Sequence, residues 1–131
     1  RIHQLFSRTN QFNLSTQRLN REQITDLNKN KEVYLKSFRV SDKFGDYGIC
    51  GTFVAKIYSD SLQIKDLIIS CRALGIGLEN YIFNDLISIA KINNLKSLIF
   101  EYRETKKNQP IFKFLSEKNV FKYEGNLKFN L

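Results

Sequence analysis

Hydrophobic positions along the chain follow two rhythms, and the switches between them mark the elements. Residues 9–15 alternate polar side chains with Phe12 and Leu14, the period-two pattern of a short half-buried strand. Asn20 with Gln23 three positions later forms a capping-box pattern. Ile24 and Leu27 follow before the Asn28-Lys29-Asn30 break, which predicts a short amphipathic helix. Residues 33–40 and 48–57 are rich in β-branched and aromatic side chains, and Asp42, Gly45, Asp46 and Gly48 between them supply turn chemistry. They predict two antiparallel strands. Ser59-Asp60-Ser61 then turns into a strand over residues 62–71, whose apolar positions change phase between Ile64 and Leu67 and so suggest a bulge.

After Gly77, apolar residues recur at Leu78, Ile82, Leu86, Ile89 and Ala90, a helical spacing that ends at Asn93-Asn94. Residues 97–102 read as a buried strand. The loop Lys106-Lys107-Asn108-Gln109 leads to Pro110, placed to open a helix with Ile111, Phe112, Phe114 and Leu115 on its apolar face. Residues 120–123 and 126–131 form a closing hairpin about Glu124-Gly125. The order βαβββαβαββ predicts an α/β chain with a largely antiparallel front half. Ile2, Leu5 and Phe6 sit at helix-like spacing, and the chain starts at Arg1 with no methionine anywhere. We therefore expect residues 1–8 to be the end of a linker or helix from an absent upstream domain, and residues 9–131 to form one domain.

Composition narrows the class. At 131 residues with 42% hydrophobic side chains, the chain is large enough to bury a core without staples. No apolar run reaches membrane-spanning length and no signal-peptide pattern is present, so a soluble, cytoplasmic protein is expected. Cys50 and Cys71 both fall in apolar runs and are expected to be buried free thiols; with a single histidine, His3, read as a solvated surface residue, no metal site is expected. The net charge of +8 favours anionic partners. The charges are scattered and no nucleic-acid motif accompanies them, so that role rests on net charge alone.

The chemistry concentrates in Ser70-Cys71-Arg72-Ala73-Leu74-Gly75-Ile76-Gly77-Leu78-Glu79, between a strand and the long helix. Glycines let a backbone approach an anion, and the first N–H groups of a helix lack partners inside it. Together with the helix dipole they favour phosphate. By itself a Gly-x-Gly turn is equally a packing device.

Arg72-Ala73-Leu74-Gly75-Ile76-Gly77 resembles the Arg/Gln-x-x-Gly-x-Gly/Ala signature of the GNAT acyltransferases, in which this loop cradles the pyrophosphate of acetyl-CoA. More narrowly, four ordered blocks resemble the C-terminal GNAT-type domain of FkbH-like proteins. They are residues 9–14 with Arg18; Phe44-Gly45-Asp46-Tyr47-Gly48; Ser70-Cys71-Arg72 with Gly75 and Glu79; and residues 105–114 with Lys107, Asn108 and Pro110. The resemblance implies a GNAT-like α/β fold, a mixed and mostly antiparallel sheet flanked by helices, acting as an acyltransferase on acetyl-CoA or a carrier-linked phosphopantetheine thioester. It implies that Ile69, Ser70 and Cys71 lie where a pantetheine arm pairs with an exposed strand, and that Arg72, Gly75, Ile76, Gly77 and Leu78 bind phosphate. Asn108 would bond the pantetheine. It also implies an upstream HAD-type domain and an acyl carrier protein as partner.

Two departures stand out. The helical position where many relatives carry a thiolate-protonating Tyr holds Leu115, and Ile76 stands where FkbH-like relatives tend to have a second basic residue. The Asp-x-Asp motif of a glyceryl-loading HAD half is absent from this sequence. A second expectation is therefore a non-catalytic module that docks a carrier protein. Cys71 as acyl acceptor, and Asp46, Asp66 or Glu101 as general base, are candidate catalytic groups, although such residues are more often a buried thiol, a turn former or a strand-end charge. Glu79 is accounted for by the helix dipole, and Arg72 by either a carboxylate or the ligand.

Overall fold

The structure is a computed structural model that describes Leu14 and residues 33–131. The expected helical tail at Ile2 to Phe6, the helix after Asn20 and the boundary at residues 8 and 9 lie outside the described residues. So does the expected strand over residues 9–15, apart from Leu14.

The remaining elements follow the predicted order. Strand β1 (Val33–Asp42) and strand β2 (Gly45–Tyr58) form a hairpin, and β3 (Ser61–Ile69) turns back along β2. A short 3-10 turn (Cys71–Ala73) precedes helix α1 (Leu78–Ile92) and strand β4 (Ser97–Phe100). Helix α2 (Gln109–Glu117) and the hairpin of β5 (Phe121–Tyr123) and β6 (Asn126–Asn130) complete the chain. The described strands make one sheet in the order β1-β2-β3-β4-β6-β5. Among them only β3 and β4 run parallel, which is the pairing that needs α1 as a crossover.

Two sequence expectations shift in detail. The β1–β2 turn is confined to Lys43-Phe44, so Asp46 and Gly48 lie inside β2; the hairpin absorbs them through two register irregularities near Arg39. The phase slip in β3 is a bulge: Val54 faces Asp66 while Ala55 faces Ile64, leaving Lys65 as the extra residue. Because of it Ile64 and Leu67, three apart, both join the same apolar cluster.

That cluster fixes α1. Leu78, Ile82, Leu86 and Ile89 form the buried stripe of the helix, and each such side chain contributes ~1.5–3 kcal/mol on leaving water. Gly51 brings the helix close to β2, since a Cβ there would meet Ile82 Cδ1 at 3.1 Å and Leu78 Cδ2 at 3.3 Å. Phe83 of α1 packs against Phe100 of β4, Phe114 of α2 and Phe129 of β6, with ring centres 6.2, 6.2 and 5.3 Å away. One aromatic knot thus holds both helices over the β4 end of the sheet. Among the described residues no helix is long and apolar enough to cross a membrane.

Candidate ligand-binding cleft

The parallel pair that α1 connects is short. β3 and β4 match from Ser61 and Ser97 to Ile64 and Phe100, and Glu101 N–H donates to Ile64 C=O at 3.0 Å. Beyond the Lys65 bulge the two chains separate. Ser70 N–H bonds Cys50 C=O at 2.7 Å, so the end of β3 stays on β2. Backbone groups alternate edges along a strand, so Ile69, like Leu67, turns its N–H and C=O away from β2 toward the gap. The gap is bridged at one level: Leu14, fully buried, donates its N–H to Leu67 C=O and accepts from Arg103 N–H, both at 3.0 Å.

Above this cleft the chain makes the glycine loop. Ser70 Oγ accepts from Arg72 N–H to cap the 3-10 turn, and Ala73 is buried beneath it. Gly75 and Gly77 are left-handed, with φ of 86° and 94°, and a Cβ on either would meet nothing within 4 Å. The glycines are therefore required by backbone angle, with open space above them. Gly77 caps α1 without any side-chain hydrogen bond, and the helix ladder begins only at Tyr81 N–H to Gly77 C=O. The preceding N–H groups lack carbonyl partners inside the helix. The loop sits between two recesses. One, of about 510 Å³, is walled by Arg39, Phe38, Ile76 and Tyr81; the other, of about 290 Å³, lies against α2 with Gly75, Glu79, Pro110, Lys113 and Phe114.

The predicted residues divide. Ile76, Gly77 and Leu78 line the first recess and Gly75 the second, Ile69 is buried at the end of β3, and Arg72 is exposed with no carboxylate within ion-pair distance among the described residues. Asn108 stands in a buried hydrogen-bond network. It is fully buried; its Nδ2 donates to Arg103 C=O at 2.7 Å, and its Oδ1 accepts from Thr105 N–H at 2.8 Å and Tyr102 O–H at 3.3 Å. These bonds tie the 103–108 loop to the start of α2.

The catalytic candidates fare unequally. Cys71 was expected to be buried, but β3 ends at Ile69 and the 3-10 turn carries the thiol outward, so it is exposed while Cys50 is buried. In the folded chain iodoacetamide should label Cys71 and spare Cys50. Mass spectrometry showing equal labelling would contradict this placement. Asp46 accepts from Arg39 at 2.7 Å and from Gly48 N–H at 2.7 Å, and the Arg39 bond first, then the Gly48 bond, holds its carboxyl below the usual range. A depressed acid is a poorer base. Its brace is present at neutral pH and is lost as pH falls through the lowered value. Lys65 Nζ stands 2.8 Å from Glu101 Oε2 across the start of the splay, an ion pair at an angle short of a hydrogen bond. Asp66 is buried beside the bulge.

Two residues passed over in the sequence matter here. Tyr102 lines a further recess with Glu104 and the β5–β6 hairpin, and burial followed by the Glu104 charge raises its phenol above the ordinary value. Lys113 brings a cation to the α2 side of the loop, a position legible only once α2 is docked. Leu115 is fully buried in the core. Among the described residues no three metal-ligating side chains gather.

No protein-family model matches the sequence, and no curated protein sequence does. Solved structures do. The Mycobacterium tuberculosis protein Rv2747, solved in complex with CoA and NLQ, matches 94% of this chain at TM-score 0.65 and 17% identity, and the match spans 66% of that chain. The ribosomal-protein alanine N-acetyltransferase of Escherichia coli matches 98% of this chain at TM-score 0.69 and 10% identity, over 84% of its own length. A GNAT family acetyltransferase of Elizabethkingia anophelis with acetyl-CoA bound matches 78% of this chain at TM-score 0.50 and 12% identity, over all of its own length. With a splayed parallel pair inside a mixed sheet and acetyltransferases as its structural neighbours, the chain has the acyl-CoA N-acyltransferase (GNAT) fold.

Proposed function

We propose that the chain binds acetyl-CoA or a carrier-linked phosphopantetheine thioester and transfers its acyl group to an acceptor. The observation that carries this reading is the uncapped, left-handed Gly75–Gly77 loop at the mouth of the β3–β4 splay. N–H groups of Gly75, Ile76, Gly77 and Leu78 would hold the diphosphate, helped by the α1 dipole and the exposed Arg72 and Lys113. The pantetheine arm would pair with the gap-facing edge of Ile69 as an added strand does.

Transfer then proceeds by direct attack. The acceptor's lone pair adds to the thioester carbonyl, the C–S bond breaks, and the leaving sulfur takes a proton. Rate would come from positioning and from backbone donors to the developing oxyanion. Leu115 offers no proton, so the leaving sulfur would take its proton from another group or from solvent. Arg39 and Gly48 already hold the Asp46 carboxylate, which makes it a poor base.

The burial of Leu115 favours a second reading, a docking module of an FkbH-like protein that receives a carrier's arm for an upstream HAD-type domain. A thermal-shift titration separates these readings from a fold without the cofactor. A ligand at ten times its Kd stabilises the native state by about 1.4 kcal/mol, or roughly 5 °C for a domain of this size. We expect such a rise with CoA, and a flat melting temperature at millimolar CoA rejects both. Binding without consumption of acetyl-CoA, with amine and carrier acceptors supplied, selects the docking module.

A further inference from the structure

The bridge at Leu14 stands at a particular rung. In the β3–β4 ladder Glu101 N–H bonds Ile64 C=O. Bonds of a parallel ladder alternate in direction, so the next one from β4 N–H to β3 C=O lies two residues further along each strand, and the extra residue at Lys65 advances β3 by one more. The continuation would therefore be Arg103 N–H to Leu67 C=O. Those are the two groups that Leu14 separates, one bonded to its carbonyl and the other to its N–H. One ladder bond has been replaced by a relay through a single residue whose side chain is anchored in the core.

We propose that Leu14 is the spacer that holds the cleft open, a positioning residue acting through its backbone. Two bonds of 3.0 Å plus the span of one residue set Arg103 N and Leu67 O apart by up to roughly 9 Å, against ~3 Å in a closed ladder. That is about the room one extended arm needs between two strands spaced ~4.8 Å from each. The relay also answers both polar groups, so the strands gain nothing by closing. It further sets the floor of the slot: an arm entering from the Gly75 loop pairs at Ile69 and stops above Leu14. This rests on the cleft reading given above, but the spacer is testable without ligand.

Amide hydrogen exchange on the wild-type chain reads it directly. The Leu14 and Arg103 N–H groups should be protected without ligand and stay protected when CoA is added. Rapid exchange of either in the ligand-free chain overturns the proposal, and so does loss of Leu14 protection on adding CoA, which would mean the arm takes Leu14's place. Protection of both in a chain that binds no CoA keeps the spacer and rejects the cofactor reading. Leu14→Pro deletes the donor, whereas Leu14→Ala keeps both backbone groups. CoA affinity should fall at least roughly tenfold in the first and by clearly less in the second. Equal losses would assign the effect to the side chain and overturn the relay; if Leu14→Pro does not fold, the exchange pattern decides.

Discussion

Replacing Gly75 by valine is expected to abolish CoA binding in a chain that still folds. Gly75 sits at φ 86°, where an L-residue pays ~1–2 kcal/mol and a β-branched one more. Space is not the obstacle, because an added Cβ would meet nothing within 4 Å. The variant relieves its strain by rotating the backbone, and that rotation swings the neighbouring N–H groups off their common focus. Losing two charge-assisted hydrogen bonds costs about 3 kcal/mol or more, a hundredfold or greater loss of affinity. The core is untouched, since the loop is exposed and the buried stripe of α1 starts at Leu78. Calorimetric titration with CoA, with circular dichroism as the folding control, reads the outcome. Wild-type affinity in a folded Gly75→Val chain would remove the loop from the site.

Period and turn chemistry made most of this architecture legible beforehand. The stripe Leu78, Ile82, Leu86, Ile89 and the Glu124-Gly125 hairpin needed only local information, and even the bulge at Lys65 showed as a slip of phase. What was hidden depends on contacts between distant segments. Cys71 was misread because an apolar run does not show where a strand ends and the chain turns outward. The hydrogen-bond network of Asn108 was hidden as well, because a resemblance gives residue types, whereas the partners of its amide are set by the path of the 103–108 loop. The placement of Leu14 in the gap between Leu67 and Arg103 has no local signature at all; period two announces a half-buried residue and says nothing about which strands it separates.

Asn108→Ala is expected to destabilise the chain by about 3 kcal/mol and to weaken CoA binding as well. The substitution strips the acceptor from Thr105 N–H and the donor from Arg103 C=O, and each buried polar group left unpaired costs ~1–3 kcal/mol. Asn108→Asp should be no better, because it restores the acceptor while setting a second oxygen against Arg103 C=O at a position with no solvent exposure. The link to binding is Arg103: its carbonyl is held by Asn108 and its N–H completes the Leu14 relay. A loop freed at one end of that peptide pair no longer holds the cleft wall in place. Urea unfolding should show a lower midpoint at unchanged slope, the signature of lost stability without a change in exposed surface. A midpoint within ~0.5 kcal/mol of wild type would mean the loop keeps its shape without the amide, and the wall would then have to be held by α2 packing alone.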